Sequence, residues 1–317
     1  MSPSPFRLPT PEDTEPAPGV VLVATGQAGL RVRQACEELG LACRVAPPAP
    51  AEAVVEHALA AGCRALHPGE SDAGSQLELA HACGRAGLAF VGPRPALIEA
   101  MHDGEAIRLL MREAGVPLAE GDATGPRVRV PVLADRLGCL RFLPARDRVH
   151  PGLVRAPVAW LTPEQRAYLG QLALQGLAGL GLVGLVSLDF RVSGNRLGFA
   201  AMGPGLDGSE ALDEALTGMD PVVEQLRLAA GERLRDRQAA LAPRGHALQW
   251  RLFPEAGAGF SGGPGLRLDR PLEAPGEARL LAWGRRPEEA IRRGRRGLRE
   301  LLGEAPAEAM LTGLAPR

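Results

Sequence analysis

Apolar positions in the first third of the chain come in short runs separated by stretches of helical period. Residues 20–24 are apolar and stop at Thr25-Gly26. Leu30, Val32, Ala35, Cys36 and Leu39 then recur at helical spacing, and Gly40 closes the pattern. The same alternation repeats. Residues 41–45 are apolar, 52–61 are helical up to Gly62, and Ala65-Leu66 is a short strand halted by His67-Pro68-Gly69. Residues 77–86 are helical with Gly87 after them, and 88–91 form a strand ending at Gly92-Pro93. Two more helices are expected over 95–101 and 105–114. This strict strand–helix order predicts a parallel sheet wrapped by helices, a Rossmann-like arrangement.

The period then changes. Residues 127–133 and 138–143 read as an antiparallel hairpin around Asp135-Arg136, and 154–160 as extended chain. Thr162-Pro163-Glu164 opens a helix to about residue 180, with Thr at the N-cap and Pro in the first turn. Residues 183–192 and 196–202 form a second hairpin across Ser193-Gly194-Asn195. Helices follow over 209–216 and 221–230, strands over 246–253 and 266–268, and an Arg-rich amphipathic helix over 287–302. No internal repeat is found.

Composition narrows the function classes. The chain has 317 residues, net charge −1, 45% hydrophobic and 23% charged residues. Nothing in that balance points to nucleic acid. All 36 basic residues are arginine, so mechanisms needing a catalytic or phosphate-binding lysine are excluded, and Arg replaces such a lysine poorly because its charge is spread over a plane. Residues 1–18 are Pro-rich and polar, unlike a secretory signal, and read as a disordered lead-in. The longest apolar stretch, 172–188, is interrupted by Gly176, Gly179, Gly181 and Gly184 and falls short of the roughly 18 residues of a membrane span. Cys36, Cys43, Cys63, Cys83 and Cys139 are odd in number and contain no Cys-x-x-Cys, as expected of reduced thiols in a cytoplasmic protein.

Several short strings, in order, carry a family resemblance. They begin with Val21-Leu22-Val23-Ala24-Thr25-Gly26, Ala35-Cys36-Glu37-Glu38-Leu39-Gly40, Ala65-Leu66-His67-Pro68-Gly69 and Phe90-Val91-Gly92-Pro93. They continue through Ala114-Gly115-Val116-Pro117, Leu161-Thr162-Pro163-Glu164, Leu188-Asp189-Phe190 and Thr217-Gly218-Met219-Asp220. The last are Arg244-Gly245-His246-Ala247, Gly265-Leu266-Arg267 and Trp283-Gly284-Arg285. Together they resemble biotin carboxylase, the ATP-grasp subunit of acyl-CoA and pyruvate carboxylases, from about Val20 to Leu302. The resemblance implies a Rossmann-like N-terminal domain with a parallel sheet (19–117), an ATP-grasp-like α+β core (118–232) and a small C-terminal α+β domain (233–317). It also implies ATP- and bicarbonate-dependent carboxylation of biotin, with ATP and Mg as cofactors, and homodimers.

Departures from the family sit at the chemical positions. Phosphoryl transfer is mostly positioning and charge neutralisation. The family's glycine-rich lid would lie between Gly121 and Arg127, where only 122–126 bridge the gap, so the lid is expected to be missing. The family lysine after Met-x-Asp is replaced by Gly104 after Met101-His102-Asp103. Of the two Mg²⁺ carboxylates, the resemblance puts the first at Asp189 and the second at Ala201. One carboxylate offers a divalent ion too few oxygens. The Asn, Arg and base positions of the bicarbonate segment fall at Gly203, Gly205 and Ser209, with Asp207 and Glu210 out of register. Arg267 survives in the family's Gly-x-Arg string.

Other candidates have plainer alternatives. The turn 25–29 could offer a helix N-terminus to an anion, or be an ordinary strand-to-helix turn. Cys63, His67, His81 and Cys83 could suggest zinc, but their spacing is not a finger pattern and core packing explains them more simply. The arginines of 285–299 read as a solvated face, with an acidic partner as the functional alternative. Taken together, the expectation is a biotin-carboxylase-like protein without a lid, catalytically inactive, needing no cofactor, and pairing with a true carboxylase subunit or with itself. The alternatives are a residual ATP-dependent ligase using Asp189, Arg267 and Asp207 or Glu210, and a small-molecule sensor using the crevice of the N-terminal sheet.

Overall fold

The computed structural model describes residues 20–23, 26–69, 72–119, 125–193, 196–270 and 276–314. The 1–18 lead-in, Thr25 of the first turn, Gly194-Asn195 of the second hairpin turn and 122–124 of the bridge lie outside them.

The first half alternates β1 (Val20–Val23), α1 (Gly26–Glu38), β2 (Cys43–Ala46), α2 (Ala51–Ala60), β3 (Ala65–His67), α3 (Ala73–Ala86) and β4 (Ala89–Phe90), then α4 (Pro95–His102) and α5 (Gly104–Glu113). The four strands pair in parallel in the order β2-β1-β3-β4. Local chemistry sets the helix ends. Asp72 caps α3 by accepting from the Ser75 N–H at 3.1 Å, and Gly87 ends it at φ 70°.

The second part holds β5 (Arg127–Ala134), β6 (Leu140–Phe142), β7 (Arg146–His150), β8 (Leu153–Ala156), α6 (Pro163–Leu177), β9 (Gly184–Ser193), β10 (Arg196–Pro204), α7 (Glu210–Thr217) and α8 (Pro221–Ala229). β11 (His246–Leu252), β12 (Leu266–Asp269), β13 (Ala278–Gly284), α9 (Pro287–Leu302) and α10 (Glu304–Ala309) follow. Both expected hairpins form: β5 pairs β6, and β9 pairs β10, each antiparallel. Thr162 starts α6 with a complete capping box to Gln165.

One nine-stranded sheet takes in every described strand after residue 125, in the order β10-β9-β5-β7-β8-β11-β13-β12 with β6 beside β5. Two of its strands, β7 and β13, were not expected. β13 lies between β11 and β12, and β8 pairs directly with β11, so the sheet is continuous across residue 232. Phe190 and Phe199 meet edge to face with ring centroids 6.2 Å apart in the core that packs this sheet on α4, α5 and α6. A second core places Trp250 under α9. Buried Arg31 of α1 binds Asp220 at 2.5 Å and Glu214 at 3.0 Å, tying the parallel half to α7 and α8.

Candidate functional site

The antiparallel ladder brings three charged residues to one face. Arg129 on β5 stands opposite both Asp189 on β9 and Arg146 on β7. Residues directly opposite in a ladder share a face. Arg129 clasps Asp189 with two bonds, Nε to Oδ1 at 2.9 Å and a terminal nitrogen to Oδ2 at 3.0 Å. Its other nitrogen reaches Asp207 at 2.5 Å, and Arg127 adds a contact to Asp189 at 3.5 Å.

The loop before α7 closes this cluster. Asp207 also faces Arg146 at 3.6 Å and accepts from the Ser209 N–H at 3.0 Å and the Ser209 hydroxyl. Fully buried Arg146 donates to Asp213 at 2.9 Å and to the Ser209 carbonyl at 3.1 Å. Glu210 accepts from the backbone N–H groups of Asp207 and Gly208 at 2.6 and 3.0 Å.

Burial and charge divide the protons. Burial raises the Asp207 pKa, but Arg146 and Arg129 overcome it and hold the carboxyl well below its usual range. Burial opposes the charge on Arg129 and Arg146, and the surrounding carboxylates outweigh it in both. Burial raises Glu210, helped by Asp207. Asp213 is pushed up by burial to about 7, with Arg146 offsetting only part of it. Arg146 and Arg129 thus keep Asp207 ionised, while Asp213, offset by Arg146 alone, moves toward the neutral acid.

This set does not fit a divalent cation. Both oxygens of Asp189 are engaged by the Arg129 fork, and a cation there would have to compete with that guanidinium charge. Ala201 stands directly across the ladder from Asp189, where a second carboxylate would be needed. Among the described residues no three His, Cys, Asp or Glu side chains gather as a metal site. Of the two glycines that the resemblance sets at Asn and Arg positions, Gly203 has open space around it, whereas a Cβ on Gly205 would collide with Leu185.

The structure brings Asp189, Asp207, Ser209 and Glu210 into one network. Arg267 takes other partners: Asp269 at 2.8 Å and Glu214 at 2.9 Å. Sequence reasoning missed Arg129, Arg146 and Asp213. β7 was the missing signal, because its register places Arg146 opposite Arg129.

The remaining candidates resolve simply. His67 is fully buried, shares a hydrogen with Gln225 Oε1 at 3.1 Å through Nε2, and accepts from the Gly69 N–H at 2.9 Å through Nδ1. Cys63 and Cys83 pack in the apolar core beneath α2 and α3. Along α9, Arg293 binds Glu289, Arg295 and Arg299 bind Glu308, and Arg296 donates to the Gly262 carbonyl. The Arg-rich face is therefore largely paired within the chain. At the carboxyl ends of the parallel strands lies a cavity of about 220 Å³ lined by Gly92, Gln225, Arg94 and Arg136. Among the described residues no helix is long and apolar enough to cross a membrane.

A parallel α/β half followed by one antiparallel sheet is the arrangement of the ATP-grasp-like biotin carboxylase fold, which the solved structures below share. Over most of its length the chain is similar to biotin carboxylases. Residues 44–98 match the family model "Biotin carboxylase, N-terminal domain", and 128–237 match "Carbamoyl-phosphate synthase L chain, ATP binding domain". A pyruvate carboxylase subunit of Methanothermobacter thermautotrophicus is 25% identical, covering 89% of this chain and 83% of its own. Biotin carboxylase of a Nostoc species is 24% identical, covering 89% and 91%. Both alignments run over 406 positions against 317 residues here, so these relatives carry residues with no counterpart in this chain. Among solved structures, the biotin carboxylase domain of Hydrogenobacter thermophilus 2-oxoglutarate carboxylase superposes with TM-score 0.80 at 22% identity, covering 90% of each chain. That protein is a dimer in complex with MgADP, ADP and bicarbonate. The biotin carboxylase subunit of a pyruvate carboxylase superposes with TM-score 0.80 at 20% identity, covering 89% of this chain and 90% of that one.

Proposed function

We propose that this chain is a non-catalytic member of the biotin carboxylase family, working by protein contact as a partner or regulatory subunit of an acyl-CoA carboxylase system. The observation that carries this reading is the Arg129 fork on Asp189. A carboxylate forked by a guanidinium is poorly placed to ligate a divalent ion, which would have to compete with that charge-assisted pair, and this supports the reading. Ala201, Gly203 and Gly205 support the same reading, since each lacks the group that carboxylation would use, and Gly205 is locked by Leu185. The overall fold of the relatives is kept over 90% of the chain, which supports a contact role. Relatives include a dimer and subunits of carboxylases, and an inactive subunit could occupy one such position.

Calorimetric titration of the full chain with ATP and Mg²⁺, beside a lid-containing biotin carboxylase, tests the inactive part. The expected result is no heat of binding here and a clear isotherm for the control. Micromolar binding, followed by biotin-dependent ATP hydrolysis, would overturn it. Affinity capture from the native cell tests the partner, and recovery of no carboxylase component would count against it.

A further inference from the structure

The end of the parallel sheet holds a cavity that the ion cluster does not use. β3 and β4 stop at His67 and Phe90, and the chain turns through Gly92 and Pro93 into α4. In an open parallel sheet the carboxyl ends of the strands leave a crevice where ligands bind. Here Gly184 at the start of β9, Gln225 of α8 and Arg136 of the β5–β6 turn close that crevice around about 220 Å³. This is smaller than the pockets of drug-sized ligands and suits a small anion with a short substituent. Gly184 stands five residues before Asp189 on β9, roughly 17 Å along the strand, so the cavity is separate from the ion cluster.

Its polar side chains offer donors. Gln225 is only 4% exposed. The Gly69 N–H donates to His67 Nδ1 at 2.9 Å, so the ring proton sits on Nε2 and is donated to Gln225 Oε1 at 3.1 Å. The Gln225 oxygen is thereby taken. Its NH₂ group borders the cavity and has no acceptor among the described residues. A buried amide with unmet donors is costly, and an acceptor in the cavity offsets that cost. Arg94 lies against Gly181, its guanidinium carbon 3.5 Å from where a Cβ would stand, and has no carboxylate partner among the described residues. Arg136 gives one N–H to the Ala229 carbonyl at 2.9 Å and keeps its other donors. Arg94 is also the N-cap residue of α4, which no side chain caps, so the positive end of that helix borders the same space. Among the described residues that line the cavity none is a carboxylate.

We infer that this cavity binds a phosphate dianion, free or as the end group of a small phosphate monoester, held by Arg94, Arg136 and the Gln225 amide. Two guanidiniums match a double charge, and donors from three separate elements match three terminal oxygens. A carboxylate offers two oxygens and one charge. The site does not depend on whether the family's chemical positions are active.

The test is titration of the full chain with inorganic phosphate, methyl phosphate and acetate at constant ionic strength. The readout is the Gln225 side-chain amide signal in ¹H–¹⁵N spectra, assigned by through-bond correlation to its backbone. The buried Trp250 indole signal reports that each variant is folded. Expected is a saturable Gln225 shift with phosphate and weaker binding of acetate. Tighter binding of methyl phosphate would assign a monoester, and saturation by inorganic phosphate alone would assign the free ion. Arg94→Gln and Arg136→Gln should each weaken phosphate about tenfold, as loss of a hydrogen bond between charged groups does. Arg112→Gln, at an exposed position on α5 outside the lining, should leave it unchanged. No saturable shift at tens of millimolar phosphate would overturn the proposal. So would acetate binding as tightly, an equal loss in Arg112→Gln, or no effect of either lining arginine in a folded variant.

Discussion

His67 ends β3 and reaches across to Gln225 on α8, so a single imidazole bridges the two halves of the molecule. Burial lowers its pKa from 6.5 to about 4, and the Gln225 bond only partly opposes this. Between those values the unfolded chain binds the proton and the folded chain refuses it. Its contribution is therefore complete above pH 6.5 and is lost as pH falls through about 4, an effect of up to about 3 kcal/mol. Asp213 acts in the opposite sense. Its pKa is raised to about 7, so its contribution is complete below the ordinary carboxylate range and is lost as pH rises toward 7. The two overlap, and single variants separate them. In denaturant melts from pH 4.5 to 8, His67→Gln should flatten the acid-side loss and Asp213→Asn the neutral-side loss. An unchanged slope in either variant would remove that residue as the cause.

Among the elements, glycines inside helices discriminate between close packing and open surface. Gly170 of α6 lies under the Phe142 ring, and a Cβ there would sit 2.5 Å from it. Gly84 of α3 is exposed with nothing within 4 Å of a Cβ. Gly170→Ala should cost about 1–3 kcal/mol by overpacking. Gly84→Ala should gain about 1 kcal/mol by helix propensity. Urea denaturation of the two variants reads both, and equal effects would contradict the packing described. The same elements explain what the sequence could disclose. Apolar period and Gly punctuation revealed α1 to α6 and both hairpins, because those segments bury one side and expose the other. β7 was illegible: Arg146-Asp147-Arg148 reads as a polar loop, yet Arg146 and Asp147 are buried because each finds an ion partner on a neighbouring element. β13 was overlooked because Arg279 interrupts its apolar run, although that side chain reaches the Asp207 carbonyl at 3.4 Å. Asp189 and Arg267 were visible as types. Their partners were not, since cross-strand register decides them.

For the whole molecule, the continuous sheet determines what can fold alone. The β8–β11 ladder aligns Leu153 with Trp250 and Ala156 with Ala247, and Gln249 crosses to the Gly208 carbonyl at 2.5 Å. Residues 118–232 and 233–317 correspond to separate domains in the resemblance, yet here they share one sheet and the core around Leu153, Trp250 and Leu280. Cutting at 232 would bare the β8 edge and the apolar surface around Leu153 together, and an uncovered edge with apolar flanks favours intermolecular pairing. A fragment of residues 1–232 should therefore aggregate or stay partly unfolded. The full chain should lose Trp250 burial and the central sheet in one transition, followed by tryptophan fluorescence and far-ultraviolet circular dichroism. A soluble, monomeric fragment with a cooperative melt would show that the ladder joins two units already stable by themselves. Coincident loss in the full chain with an aggregated fragment would show that the C-terminal strands complete a sheet that the rest cannot close.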